Sequence, residues 1–208
     1  MFRALLFLVP LFAFAAEPAW QPIFDGRTGN GWKVYRSHGF PEHGWEVEEH
    51  EAALHAVHGN MMACLATEEI YDNFELSFEW KISPGGNAGV FYSNRKWNEQ
   101  GNYRVHSSRG QEYQILDDEL SAEGAVAHKS AASLYGKVAP IPDKPLRPAG
   151  EWNTGKIIVQ GLYAEHWLNG VRVLSYWLNP DEKVASPIVL QHHHDEAWFR
   201  NLRIRRLP

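Results

Sequence analysis

The sequence predicts an all-β fold in which two antiparallel sheets pack face to face. Beyond the first sixteen residues, no stretch carries apolar residues at helical spacing over three or more turns. Short segments in which apolar and polar residues alternate recur instead, separated by glycine, proline and asparagine. This pattern favours a two-sheet sandwich over a parallel α/β sheet. The 208 residues, 44% of them hydrophobic, suffice for one sizeable core, so we expect a single domain over residues 17–208.

The strands can be placed in order. In NFELSFEWKIS every second residue from Phe74 to Ile82 is apolar, and the residues between them are polar. AGVFYS follows after the turn SPGGN, and we expect it to be the hairpin partner or a close neighbour of the first strand. In QEYQILDD the apolar and polar residues again fall on opposite faces. Asn169-Gly170 predicts a hairpin turn, because both residues tolerate positive φ. The remaining strands are predicted within GKIIVQG, AEHWLNGVRVLSYW, SPIVLQHH and WFRNLRIRRL.

One long segment lacks this alternation. Residues 122–152 contain four prolines and read as a long ordered loop over the sandwich. Loops of this length in a compact domain are uncommon and often functional.

The first residues are typical of a secretory signal peptide. MFRALLFLVPLFAFAAEP has a basic residue at Arg3, an apolar run over residues 4–14 and small residues before Glu17. We therefore expect cleavage of residues 1–16 and a periplasmic or extracellular protein. No later stretch reaches the ~18 to 20 apolar residues that a transmembrane helix requires.

Charge and cysteine content exclude further classes. A formal net charge of −5 provides no field that attracts phosphate backbones, so nucleic acid is not an expected partner. Cys64 is the single cysteine, which excludes an internal disulfide, and we expect a buried, inert thiol.

Polar residues on three predicted strands face away from the core. If these strands share a sheet, the side chains line one surface together, which makes that surface a candidate binding face. For each residue alone, an ordinary solvated strand face is the alternative. The residues are Glu79, Lys81, Glu112, Gln114, Gln191 and His193.

Two residues in turns are further candidates for carbohydrate contacts. Trp97 lies among polar residues in NRKWNEQGNY, where an exposed indole stacks on a sugar face; simple loop packing is the alternative. Asn87 is placed at the rim after Gly85 and Gly86, where its amide binds a ligand hydroxyl or caps the turn. GGNAGV is not a phosphate-binding loop, because no helix follows it and no Lys-Ser/Thr pair is present.

The three consecutive histidines 192–194 raise the question of a metal. Adjacent strand residues point to opposite faces, so the three rings do not converge on one ion while the strand stays regular. A site that combines His193 with Glu112 or His128 stays open, without support from an HExxH or CxxC spacing. We expect His193 to be a rim residue flanked by two incidental histidines.

Seven segments follow one another in a specific order from about Trp20 to Leu207: FDGRTGNGW, WEVEEHEAALHA, FELSFEWKISPGGNAGVFYSNR, GQEYQILDDE, SLYG, PAGEWNTGKIIVQGLYAEHWLNGVRV and LQHHHDEAWFRNLRIRRL. In this order they resemble the 3-keto-disaccharide hydrolase family, which implies a concanavalin A-like jelly roll. The family's final strand reads like Leu-Gln-Asp-His-Gly. Gln191 and His193 match it, while His192 replaces the acidic residue and His194 the glycine.

The resemblance implies cleavage of glycosides whose sugar carries a 3-ketone. The ketone acidifies the C2 hydrogen, a base removes it, and the glycosidic oxygen leaves from the enolate before water adds. Glu112 or His193 is the candidate base. Lys81 or Arg95 would stabilise the enolate, and Tyr135 or Glu79 would assist departure. The remaining candidates bind substrate: Asn87, Trp97, Gln114 and Gln191. An upstream sugar oxidoreductase is implied as a partner in the pathway, and a divalent metal cofactor stays open.

Three alternatives are carried forward. Ordinary glycoside hydrolysis would need two carboxylates across the bond, which Glu79 and Glu112 would supply. A lectin-like carbohydrate-binding module would use the same sandwich, polar face and aromatic residues. A purely structural exported sandwich would leave the polar face without a concave pocket.

Overall fold

The computed structural model describes residues 18–34, 39–59, 64–93 and 110–208. The predicted signal peptide lies outside these ranges, as do the candidates Arg95 and Trp97. Within them, no helix is long and apolar enough to cross a bilayer.

The described residues form two antiparallel sheets, which confirms the predicted fold class. The larger sheet has eight strands in the order β11-β10-β9-β6-β13-β4-β3, with β1 paired to β13, and the smaller has five in the order β2-β5-β12-β7-β8. The strand bounds are β1 Gln21–Pro22, β2 Trp32–Val34, β3 Trp45–Glu48, β4 Ala53–Ala56, β5 Leu65–Thr67, β6 Phe74–Ile82, β7 Asn87–Tyr92, β8 Gln111–Leu116, β9 Asn153–Gln160, β10 Tyr163–Leu168, β11 Val171–Trp177, β12 Val189–Leu190 and β13 Ala197–Arg206. A 3-10 turn spans Ala127–Lys129.

The core lies between the two sheets and follows from the period of two along each strand. On β6 the five apolar residues from Phe74 to Ile82 are all buried and join the core cluster. The facing sheet contributes Tyr92, Tyr113 and Ile115, which are also fully buried. Each large apolar side chain removed from water stabilises the fold by about 1.5–3 kcal/mol.

The predicted relation between β6 and β7 is wrong in one respect. The two strands do not form a hairpin: β7 pairs with β8 and β12 in the smaller sheet, whereas β6 pairs with β9 and β13 in the larger. Because both edges of β6 are occupied, the chain turns at Gly85 (φ +72°) and crosses to the opposite layer. The two strands then face each other across the core.

The Asn169-Gly170 hairpin is confirmed. Both residues have positive φ, +47° and +83°, and they connect β10 to β11. The Asn169 side chain accepts a hydrogen bond from the Thr154 amide at 2.7 Å, which ties the turn to the adjacent strand β9.

The proline-containing segment is ordered, as predicted, and it extends the smaller sheet. The Ala132 amide donates to the Gln114 carbonyl at 2.8 Å, and the Tyr135 amide donates to the Glu112 carbonyl at 3.1 Å. Lys144 then anchors the segment, since its ammonium lies 2.7 Å from Asp118, which precedes the segment, and donates to the Ser130 hydroxyl within it at 2.6 Å. Residues 130–135 therefore lie beside β8 as an additional edge.

Candidate active site

The candidate site lies on the outer face of the five-stranded sheet, called here the site face. Phe91 and Val189 are paired across β7 and β12, and with Ala66 they form a buried apolar cluster apart from the main core. Cys64 packs against this cluster, and burial raises the pKa of its thiol to about 11. Cys64 is partly rather than fully buried, and its raised pKa favours the protonated thiol, which is a poor nucleophile.

Glu112 is the central carboxyl of the site face. It lies opposite Phe91, and its side chain covers Gly89, where a Cβ atom would come within 2.5 Å of Glu112 Oε1. Only 4% of Glu112 is exposed. Burial, with a smaller contribution from the negative charge of Glu123, raises the pKa of Glu112 to about 8.

Glu123 is the second carboxyl of the site face, and its pKa is lowered rather than raised. Glu123 Oε1 lies 2.7 Å from the Lys129 ammonium, and the Tyr135 hydroxyl donates to both oxygens of Glu123 at 3.1 Å. The hydrogen bond from Lys129 is the main reason that the pKa of Glu123 is lowered, and the charge of His193 acts in the same direction. Burial and the bond to Glu123 raise the pKa of Tyr135. The site face thus holds two carboxyls whose pKa values are driven apart, an arrangement that assigns different acid–base roles to neighbouring groups.

A row of amides completes the polar part of the site face. Gln114 lies opposite Gly89, and the Gln191 amide donates from its backbone to the Gly89 carbonyl at 2.8 Å. Gln114 Nε2 donates to Asn87 Oδ1 at 3.1 Å. The side-chain oxygens of Gln114 and Gln191 are buried without a hydrogen-bond partner in the described part of the chain. Buried polar atoms of this kind are expected to bind water or ligand hydroxyls.

The histidine run divides as its alternation predicts. His192 is buried, and its ring lies 6.1 Å from that of Trp45, edge to face. His193 lies close enough to Glu123 for its charge to lower the pKa of that carboxyl. His194 turns away with φ +71° and contacts the Gly59 carbonyl at 3.1 Å. Within the described ranges, no three His, Cys, Asp or Glu side chains are grouped so as to hold a metal ion.

The predicted grouping of Glu79 and Lys81 with Glu112 is wrong. Both residues point to the outer face of the eight-stranded sheet, because β6 pairs with β9 and β13 rather than with β8 or β12. Glu79 accepts hydrogen bonds from Arg200 at 2.7 Å and Asn201 at 2.8 Å. Lys81 lies 2.9 Å from Glu51, with its ammonium over the Trp198 ring.

The remaining sequence predictions fare differently. Six of the predicted residues lie at the site face or its edge: Glu112, Gln114, Asn87, Gln191, His193 and Tyr135. Their roles stay predictions, and Arg95 and Trp97 lie outside the described residues. Glu123 and Lys129 were missed. The available signal was their location in the long segment already singled out as functional.

Comparison with known proteins assigns the family. The model of the 3-keto-alpha-glucoside-1,2-lyase-like domain matches residues 19–205. The chain belongs to this family. A protein of Bacteroides thetaiotaomicron named 3-keto-disaccharide hydrolase is 29% identical over 226 aligned residues, which cover 89% of this chain and 77% of that protein.

Solved structures agree with the family assignment. The crystal structure of a candidate glycosyl hydrolase from Parabacteroides distasonis gives a TM-score of 0.75 at 25% identity, covering 91% of this chain and 94% of that one. Bacillus licheniformis β-glucanase gives a TM-score of 0.57 at 8% identity, covering 94% and 100%, which is a likeness of fold alone. The 3-keto-alpha-glucoside-1,2-lyase-like assignment confirms the resemblance carried by the seven segments. It also confirms the predicted enzyme class, a glycoside hydrolase or lyase.

The glycine that the resemblance implies at position 194 would fit the backbone conformation found there. The left-handed region that His194 occupies is open to glycine at little cost, while other L residues pay about 1–2 kcal/mol there. Replacing His194 by Gly should therefore give a protein about 1 kcal/mol more stable than replacing it by Ala. Both variants lose the imidazole, so their difference isolates the backbone.

The matched control is the neighbouring position. His193 is not among the residues with positive φ, so His193→Gly should be less stable than His193→Ala. Urea unfolding of the four variants measures the differences. Equal stability of the two position-194 variants would contradict the account.

Glu112 should lower the free energy of unfolding at high pH. Its pKa is raised in the folded state, so between about 4.5 and 8 the unfolded chain gives up a proton that the folded protein keeps, and stability falls as pH rises. Glu112→Gln removes this penalty while keeping the shape. We expect the variant to be more stable than the wild type by on the order of 3 kcal/mol at pH 8, with the gain vanishing near pH 4. Denaturant unfolding at both pH values tests this, and a gain independent of pH would refute it.

Proposed function

We propose that the protein cleaves the glycosidic bond of 3-keto-glycosides or 3-keto-disaccharides by removing the C2 proton and eliminating the group at C1. The observation that supports this reaction is the carboxyl pair of the site face, in which the pKa of Glu112 is raised and that of Glu123 is lowered. The family assignment and the name of the Bacteroides relative supply the substrate class.

Glu112 is the proposed base. Ionised Glu112 takes the C2 proton, and the electron pair of that C–H bond passes into the enolate of the 3-ketone. A carboxylate with a pKa of about 8 is a stronger base than an ordinary carboxylate, and this value is close to working pH. The loss of solvation that raises the pKa also strengthens electrostatic interactions with the enolate.

Tyr135 is the proposed proton donor for the departing oxygen. When the enolate re-forms its carbonyl, the C1–O bond breaks, and the leaving oxygen takes the phenolic proton. The raised pKa of Tyr135 keeps that proton in place until negative charge develops on the leaving oxygen. The Lys129 ammonium, 5.7 Å from the centroid of the Tyr135 ring, offsets the charge left on the phenol. Water then adds to the glycal.

Sugar hydroxyls are proposed to bind the amide row. The side-chain oxygens of Gln114 and Gln191, which have no hydrogen-bond partner among the described residues, accept hydrogen bonds from hydroxyl groups. The two-carboxylate alternative in its original form fails, because Glu79 lies on the other sheet and does not face Glu112 across a bond.

The first experiment is turnover. Wild-type protein is incubated with a 3-keto-glucoside and, in parallel, with the unoxidised glucoside, and aglycone release is followed by mass spectrometry. We expect release from the oxidised substrate alone. Glu112→Gln should lower the rate by at least ~100-fold, a typical loss for a general base. Glu79→Gln, which changes a carboxyl on the opposite sheet face, should retain it.

The controls separate the alternatives. Binding without release would favour a carbohydrate-binding module, and release from the unoxidised glucoside would favour ordinary hydrolysis. Retained activity in Glu112→Gln would remove Glu112 from the mechanism. A parallel arm with chelator decides whether a divalent metal takes part.

The pH dependence gives a second prediction. If ionised Glu112 is the base, kcat/KM rises with pH, reaches half its maximum near pH 8 and then levels off. Initial rates between pH 5 and 10 measure this limb. A decline above pH 8 would instead identify Glu112 as a proton donor.

Export is proposed from residues 1–16 alone. Amino-terminal sequencing of the protein recovered from outside the cytoplasm should start near residue 17. An uncut protein confined to the cytoplasm would argue against export.

A further inference from the structure

A buried chain of hydrogen bonds runs from the eight-stranded sheet to the edge of the site face. The hydroxyls of Tyr176 on β11 and Tyr92 on β7 are hydrogen-bonded to each other. Tyr92 Oη lies 2.6 Å from Nε2 of His166 on β10, and His166 Nδ1 lies 3.1 Å from the Ala132 carbonyl. His166 is fully buried. The chain connects both sheets to the segment beside β8.

Hydrogen-bond chemistry fixes the direction of this chain. The Ala132 carbonyl accepts, so Nδ1 of His166 must carry the proton and donate. Burial lowers the pKa of His166 to about 4, so the ring is neutral at ordinary pH and its Nε2 is an acceptor. Tyr92 therefore donates to His166, and Tyr176 donates to Tyr92. Each group has one role, which makes the chain rigid.

The end of the chain acts on a strained residue. Ala132 has φ +62°, a left-handed conformation that residues other than glycine adopt only under steric strain. Such a conformation persists where its surroundings hold it. The Ala132 amide is held by the Gln114 carbonyl at 2.8 Å, and its carbonyl is held by His166.

The strained residue sets the path of the segment that closes the site. The Ser133 carbonyl accepts from the Gln114 amide at 3.2 Å, and the Tyr135 amide donates to the Glu112 carbonyl at 3.1 Å. The same segment delivers the Tyr135 hydroxyl to Glu123. A shift at Ala132 would therefore move Tyr135 relative to Glu112.

We propose that His166 is a positioning residue for the candidate active site, acting through the Ala132 carbonyl on the segment that carries Tyr135. The expected effect on turnover rests on the proposed function. The expected effects on the structure of the segment do not depend on it. His166 touches no reacting group. Its contribution is to hold the proton donor at the correct distance from the base.

Two substitutions of His166 each keep one of the two hydrogen bonds of the imidazole and remove the other. Asparagine reaches the position of Nδ1, so His166→Asn keeps the bond to Ala132. Glutamine reaches the position of Nε2, so His166→Gln keeps the bond to Tyr92 and releases Ala132. We expect His166→Gln to lower kcat by ~10- to 100-fold with little change in KM, the scale of loss from a misplaced catalytic group. His166→Asn and Tyr92→Phe should stay within ~3-fold of wild type, because both keep the Ala132 bond.

Hydrogen exchange supplies a readout that needs no substrate. Amide exchange over residues 130–138 should be faster in His166→Gln than in His166→Asn, while β9 is unchanged. A merely structural role would lower global stability in both variants and leave this local difference absent. Equal exchange and equal kcat in the two variants would overturn the proposal.

A measurement on the wild type covers the case in which a variant does not fold. Nitrogen-15 NMR of the histidines at pH 7 should show His166 as the neutral tautomer protonated at Nδ1. Protonation at Nε2 would exclude donation to Ala132 and sink the inference. If the wild type fails to cleave 3-keto-glycosides, the proposed function falls, while the exchange and NMR results still decide the role of His166.

Discussion

The fold of the site depends on the removal of one carboxyl from water. An outer sheet face is normally solvated, yet Glu112 is almost fully buried there. Three features of the chain produce this burial. Gly89 leaves space for the carboxyl to lie on the sheet, the Phe91 cluster provides an apolar neighbour, and the segment beside β8 adds an edge. The unfavourable free energy of desolvating Glu112 is offset by the packing of the core on the other side of the sheet, as is common at functional sites.

The two outer faces of the sandwich show the difference between a structural and a functional polar surface. On the eight-stranded sheet, Glu79 and Lys81 have partners of opposite charge or with matching donors. On the five-stranded sheet, the amide oxygens of Gln114 and Gln191 are buried and have none among the described residues. A polar side chain that already has hydrogen-bond partners gains little from a ligand, whereas a buried one without a partner gains by binding it. The two sheets therefore share one core but differ in how far the polar groups on their outer faces are satisfied.

The sequence predicted which face of a strand each side chain occupies better than it predicted which strands pair with each other. Alternation placed Phe78 inward and Glu79 outward on β6, and it separated Tyr113 from Gln114 on β8. It did not reveal which sheet each strand joins, because side-chain period is a property of one strand and pairing is a property of the whole chain. That is why Glu79 and Lys81 were grouped with Glu112. Glu123 escaped notice for a related reason: it lies in a segment without periodicity, where only tertiary contacts bring it to Tyr135.

The histidine triplet ends in a turn with a left-handed residue, His194. His194 occupies the left-handed conformation that suits glycine, and its Nδ1 lies 3.1 Å from the Gly59 carbonyl oxygen. The next residue, Asp195, accepts a hydrogen bond from the Asn87 amide at 3.1 Å, which fixes the turn to the start of β7. Because β7 also carries Gly89, the turn is anchored to the strand over which the Glu112 side chain packs. The left-handed residue His194 directly follows His193, whose charge lowers the pKa of Glu123, so the conformation of this turn bears on the electrostatics of the site face.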